Sequence, residues 1–178
     1  MRCGNSHERM DVMSKESWRS LEGVDRECFA CGVMNDHGLK MTFESNGEML
    51  RSFLTVKPQF RGWSNLVHGG ILSTILDETM SWSAIHLMQR FILTKGMRVA
   101  FKKPVLIETP LAITGYVKER LSERKAMVVA EIRDEAGDLC ASSEGEFVLF
   151  TVEEFREKRV MPEAELDAMA SAFLDASV

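Results

Sequence analysis

The chain has no surplus of positive charge: 22 Lys and Arg face 27 Asp and Glu, for a net charge of −5. That balance argues against a nucleic-acid-binding surface, while leaving room for local basic patches that meet a phosphorylated ligand. Long hydrophobic runs are missing too; the longest are too short and too interrupted to span a membrane. Residues 1–20 mix charges throughout and lack the apolar centre of a signal peptide, so cytoplasmic localisation is the expectation. The chain has no internal repeat and no low-complexity segment. It also lacks a Gly-x-Ser-x-Gly elbow, and residue order offers no Ser–His–Asp or Cys–His arrangement. Cysteine is scarce, with Cys3, Cys28, Cys31 and Cys140. Cys28-Phe-Ala-Cys31 has no second pair to complete a zinc site. Cys3, His7 or His37 would have to fill the set, at spacings that match no zinc template. The expectation is therefore no metal, with Cys28 and Cys31 as two small buried residues at the entry to the fold.

What is present fits one soluble globular domain, with 178 residues, 45% hydrophobic and 28% charged. Its centre is the stretch that opens on His68-Gly69-Gly70 and runs to Gln89 without proline. Leu72, Ile75, Leu76, Thr79, Trp82 and His86 recur at helical spacing, which predicts one long, largely buried helix over about residues 69–89. Another face carries Gly70, Ser73, Thr74, Asp77, Ser81 and Ala84, a stripe of small or polar groups around one carboxylate. An unpaired charge is costly on a buried helix, so Asp77 is either paired or kept for chemistry. At the helix start two glycines leave backbone N–H groups uncovered, and those donors lack intrahelical partners. With the helix dipole they attract negative charge, including a developing oxyanion. Gly70 and Asp77 are about 10 Å apart along the axis, too far for one carboxylate to serve a carbonyl bound at its own helix start. If the two act together, Asp77 must come from a second, antiparallel helix, and the site must lie between subunits.

His-Gly-Gly followed by a carboxylate nine positions after the His resembles the hotdog-fold acyl-CoA thioesterases, the phenylacetate-pathway-like and 4-hydroxybenzoyl-CoA thioesterase-like branch in particular. The resemblance runs over about residues 28–150. It implies an α+β hotdog fold, an antiparallel sheet wrapped around the central helix. It implies that Gly70, with Gly69, polarises a thioester carbonyl and that the partner subunit's copy of Asp77 acts as general base or nucleophile. The substrate is then an acyl-CoA or acyl-carrier thioester, with coenzyme A entering only as part of the substrate and no separate cofactor. The assembly is a homodimer at minimum, with a homotetramer as the larger option. Residues 28–39, Cys-Phe-Ala-Cys-Gly-Val-Met-Asn-Asp-His-Gly-Leu, are similar to the lead-in of one hotdog subgroup, with Asp36 where that pattern has Pro. Asn35 in this lead-in is a turn former or a group reaching the acyl site.

Around the helix, strands are expected over residues 39–45 and 48–56, joined by Asn46-Gly47, then 92–102, 111–121, 125–134 and 139–150. Residues 1–27 read as an N-terminal extension with weak helical pattern (Val12, Met13, Trp18, Leu21). Residues 28–151 form the hotdog domain, and residues 152–178 a helical extension broken at Pro162. Several residues bordering the site are substrate-binding candidates. Asn65 is placed to hold a water. Trp63 and Phe60 either wall an acyl pocket or plug a strand–helix corner. By the same resemblance Thr94 contacts the catalytic water or carboxylate; otherwise it is an ordinary strand residue. Arg120, Arg124 and Lys125 cluster at a strand connection suited to phosphate pairing, with Lys102 and Lys103 at another strand end. His68 is a catalytic candidate that orients the thioester or caps the helix. Glu78 is rotated about 100° from Asp77 and is secondary, a partner for a lysine on a neighbouring strand; His86 is structural. The alternative function is a non-catalytic acyl-CoA-binding or sensor protein. A hotdog dehydratase ranks lower because the acid stands at the thioesterase-type position, and an idle, structural site is a further option.

Overall fold

A computed structural model describes residues 18–23 and 25–174. The elements are β1 (Arg19–Leu21), β2 (Phe43–Ser45), β3 (Leu50–Thr55), α1 (Gly69–Met88), β4 (Phe91–Phe101), β5 (Pro110–Ser122), β6 (Lys125–Asp134), β7 (Leu139–Phe150), α2 (Val152–Glu157) and α3 (Glu163–Phe173). The strands form one antiparallel seven-stranded sheet in the order β1-β2-β3-β5-β6-β7-β4. This is the expected α+β hotdog architecture, with α1 packed along the inner face of the sheet.

Alternation along β5, β6 and β7 sends every second residue towards α1. Ile113, Val128, Ala130, Ile132, Ala141 and Phe147 are fully buried there, against Ile75, Leu76, Met80 and Ala84 of the helix. Close approach of helix and sheet demands glycine at one crossing. A Cβ on Gly115 would overlap Ser83 Oγ and come within 2.8 Å of Thr79 Cγ2. Both neighbours are buried and already bonded: Thr79 Oγ1 donates to Ile75 O and Ser83 Oγ donates to Thr79 O. Gly115→Ala should therefore cost about 1–3 kcal/mol of stability through overpacking, read as a lower denaturant midpoint at unchanged slope.

The sheet differs from the sequence expectation at its first edge. Arg19–Leu21, in the stretch with weak helical pattern, is a strand paired with β2; Val12 and Met13 lie outside the described residues. The strand expected over residues 39–45 shortens to Phe43–Ser45, because Leu39 and Met41 donate their N–H groups to Phe29 O and Ala30 O instead of to β3. Asn46-Gly47 does make the turn, with Gly47 at φ +92°.

The C-terminal segment packs on the end of this layer. A reciprocal cap, Glu154 N to Thr151 Oγ1 and Thr151 N to Glu154 Oε2, starts α2. Phe155 stacks on Phe91 at 4.8 Å, and Leu166 of α3 joins the same cluster. Phe173 reaches Trp82 and His86 of α1, each at 5.4 Å between ring centroids. The structural reading of His86 agrees with this, since it also stacks on Trp82 at 5.2 Å. No helix among the described residues is long and apolar enough to cross a membrane.

Candidate active site

The start of α1 is set by His68. Its backbone is extended, and its Nδ1 accepts the Gly70 N–H at 2.9 Å, so the ring caps the helix. An accepting Nδ1 places the ring proton on Nε2. Gly70 N–H is thus engaged by His68, whereas Gly69 N–H donates to no acceptor among the described residues. A carbonyl oxygen arriving here meets Gly69 N–H directly and must share or displace His68 to reach Gly70. On the outer side of the helix start Gly70 is exposed and Gly69 half-buried. The nearest side chain facing Gly69 among the described residues is Phe101, whose ring lies 3.4 Å from where a Cβ would stand. Phe101, Leu66, Leu72, Lys102 and Val105 line a groove of about 350 Å³ beside Gly69.

One turn along the stripe, Ser73 and Thr74 fold their hydroxyls back onto Gly69 O and Gly70 O. Asp77 follows, half-buried, with its Oδ1 accepting the Thr94 hydroxyl of β4 at 3.0 Å. Burial raises the Asp77 pKa, and the bond from Thr94, which favours the charged form, offsets that only in part. No Lys, Arg or His among the described residues forms an ion pair with this carboxylate. Of the two readings of Thr94, the one with its hydroxyl on the carboxylate is what the fold contains. Beyond Asp77 the stripe closes, for Ala84 is fully buried.

β4 carries this site to the border of the sheet. Among the described residues it is the terminal strand, paired with β7 alone, and a bulge between Thr94 and Gly96 interrupts its register. Leu93 and Phe101 are exposed along it. No described strand pairs with its other edge, which makes that edge a template for another strand.

The remaining candidates disperse. Trp63 is 85% exposed, so it plugs nothing; the buried aromatic is Phe60, edge-on to Phe29 at 6.2 Å. Asn65 is exposed and its carbonyl accepts Ile107 N–H. Asn35 closes its own turn, accepting His37 N–H and donating to Glu27 O, which is the turn-forming role. The basic cluster is no free cradle. Arg120 pairs with Glu123, Arg124 with Glu154 and Lys125 with Glu146, which Lys95 also holds. Lys103 is drawn to Asp134 and Asp138. The β5–β6 connection does lie level with the part of β4 next to Thr94, since Lys125 stands across Val148 from Leu93.

Glu78 departs most from expectation. No lysine among the described residues pairs with it; its Oε1 accepts Trp82 Nε1–H at 2.9 Å and lies 3.8 Å from Cys28 Sγ. Burial, then the neighbouring Cys28 charge, pushes its pKa up to about 7. Cys28 and Cys31 are half-buried rather than sealed in the core. The Cys31 thiol donates to Cys28, whose pKa falls to about 6, while the same bond and burial hold Cys31 up. Sequence reasoning missed this group because nothing in the local pattern links positions 28 and 78.

Residues 64–141 match the sequence model of the Thioesterase superfamily. No curated protein sequence matches the chain. Among solved structures, a thioesterase superfamily protein is 28% identical with a TM-score of 0.64, over 71% of this chain and 62% of its own length. This chain therefore spans less than two thirds of that relative. An acyl-CoA hydrolase from Staphylococcus aureus, solved with butyryl coenzyme A, coenzyme A and coenzyme A disulfide, is 25% identical, with a TM-score of 0.56 over 60% of this chain and 65% of that one. The PaaI protein from the phenylacetic acid degradation operon of E. coli shares the fold at 18% identity, with a TM-score of 0.57 over 63% of this chain and 80% of that one. In sequence over residues 64–141 and in fold across most of its length, the chain is a hotdog-fold protein that resembles the thioesterase superfamily.

Proposed function

We propose that the protein hydrolyses an acyl-CoA or acyl-carrier thioester to the free acid and thiol. The observation that carries the reading is Asp77: a half-buried carboxylate, held by a neutral hydroxyl from an open edge strand and paired with no cation among the described residues. Burial without a counter-charge leaves a carboxylate basic, and structural helix acids are ordinarily satisfied by a cation instead.

Two copies join along β4, so that Asp77 of one chain faces the Gly69–Gly70 helix start of the other. The amides take the carbonyl oxygen as it gains negative charge. In one route Asp77 removes a proton from water while the water oxygen bonds to the acyl carbon. The tetrahedral intermediate then expels the thiolate, which is protonated on release. In the other route Asp77 itself attacks the acyl carbon, the C–S bond breaks and the thiolate leaves to be protonated, and water hydrolyses the resulting anhydride to the free acid and Asp77. Both routes need the same two groups. The acyl chain lies in the groove beside Phe101, with Trp63 and Asn65 at its rim. Arg120, Arg124 and Lys125 must exchange carboxylate partners for the phosphates of coenzyme A. A homodimer is the minimum assembly and a homotetramer the larger form. The substrate's coenzyme A is the only nucleotide, without a nucleic-acid or membrane partner, in the cytoplasm.

The test is thiol release from a panel of aliphatic and aromatic acyl-CoA thioesters by the purified protein. Steady turnover on at least one class is expected. Saturable binding across the panel with no release would replace hydrolysis by the sensor reading.

A further inference from the structure

The loop before β2 is built as a rigid turn around two thiols. Asp25 Oδ1 accepts the N–H groups of Glu27 and Cys28 at 3.0 Å each. Gly32 N–H closes on Cys28 O at 2.9 Å, and Ala30 N–H points at Cys28 Sγ at 3.4 Å. Gly32 sits so tightly that a Cβ there would come within 2.5 Å of Cys28 N and 2.6 Å of Arg26 O. A backbone N–H aimed at sulfur favours the thiolate, the form that binds metals.

Opposite the turn stands Glu78, in the middle of α1. Its carboxylate is held in place by Trp82 Nε1–H, and no cation among the described residues forms an ion pair with it. One ligand atom from each of Cys28, Cys31 and Glu78 can be chosen so that all lie within 4.8 Å of one another. A tetrahedral ion with Zn–S bonds of about 2.3 Å sets its sulfurs roughly 3.8 Å apart, so small side-chain movements suffice. Three groups that become anionic, converging without a counter-charge, are costly unless a cation joins them.

We infer that Cys28, Cys31 and Glu78 bind one divalent metal ion of the zinc type, with water in the fourth position. Two thiolates select a borderline-soft ion over magnesium or calcium. The ion ties the residue 25–41 loop to the back of the helix that carries Asp77. It is a structural clip rather than a participant in the reaction, because Glu78 and Asp77 point about 100° apart around the helix. The assignment does not depend on thioester hydrolysis.

The test uses the full, reduced chain, stripped with a chelator and titrated with Co²⁺ alone. One equivalent should bind, giving a thiolate-to-cobalt charge-transfer band in the near ultraviolet and visible bands of tetrahedral cobalt, and Zn²⁺ should displace it. Cys28→Ser and Cys31→Ser should each diminish the charge-transfer band. Glu78→Gln should retain that band but weaken affinity by about tenfold or more and shift the visible bands. Circular dichroism of the metal-free variants separates loss of a ligand from loss of fold. If the free thiols are intact and cobalt gives no thiolate band, the inference fails. It fails equally if Glu78→Gln leaves affinity and spectrum unchanged. If the chain purified without reductant is lighter by two hydrogens, its peptide map joins Cys28 to Cys31, and the reduced form takes up no metal, the inference fails in favour of a redox pair.

Discussion

Asp77→Asn should lower kcat for thioester hydrolysis by about 10²–10⁴-fold, the usual contribution of a positioned acid or base, with the fold intact. Asn is nearly isosteric and its carbonyl oxygen can still accept the Thr94 hydroxyl, so the contact at 3.0 Å survives while the basicity does not. Removing a charge that burial disfavours also places no burden on stability. The pH profile carries the same information. Burial raises the Asp77 pKa, and the group works only when ionised, so activity should fall as pH drops through a value above the ordinary aspartate range. Thr94 favours the charged form. Thr94→Val should therefore raise the pKa further and move the acid limb to higher pH. A Thr94 that merely fills a strand would change the rate without moving the limb. Rates near wild type in Asp77→Asn would remove this residue from the chemistry.

The second large effect concerns the edge of the sheet. β4 spans Phe91–Phe101 and among the described residues is paired on one side only, so a second copy can extend the sheet along it. N–H groups of successive strand residues point to opposite sides, so of Arg98→Pro and Val99→Pro one removes an outward donor and leaves the pairing with β7 in place. That variant should keep its circular dichroism, run as a monomer in light scattering, and lose thioesterase activity to background. The reason is geometric: a single chain holds Gly70 and Asp77 about 10 Å apart along one helix. A folded, fully active monomer would contradict the shared site.

Much of this arrangement is legible in the sequence because it is local. His68-Gly69-Gly70 marks the helix start, and apolar spacing through Trp82 gives its length. The limits of β6 and β7 follow from alternation bounded by polar turns, with Gly137 at φ +84° in one of them. Asp77 stands out because a carboxylate interrupts a buried stripe. What escapes the sequence is non-local. β1 has three residues and no pattern, and it exists because the backbone of Phe43–Ser45 is free to pair. The shortening of β2 depends on carbonyls of Phe29 and Ala30 that only the folded loop presents. The meeting of Cys28 with Glu78 joins residues fifty positions apart. Charge is hard to read for the same reason: Arg124 looks like a free cation until α2 brings Glu154 to it. The engagement of Gly70 N–H by His68 is local, yet the motif itself does not say whether the ring caps the helix or faces the substrate.

The most direct test of the composite site is complementation between two inactive variants. Gly70→Val places a branched side chain where even a Cβ meets His68 Nδ1 at 3.0 Å, and it shadows the exposed amides. It should be inactive, as should Asp77→Asn. Co-expressed, the two chains assort at random, and each hybrid dimer holds one site with both lesions and one with neither. A two-fold assembly then recovers about a quarter of wild-type activity. If thiol release in the hybrid stays at the level of the separate variants, Gly70 and Asp77 do not act across a subunit boundary, and the account of the site is wrong.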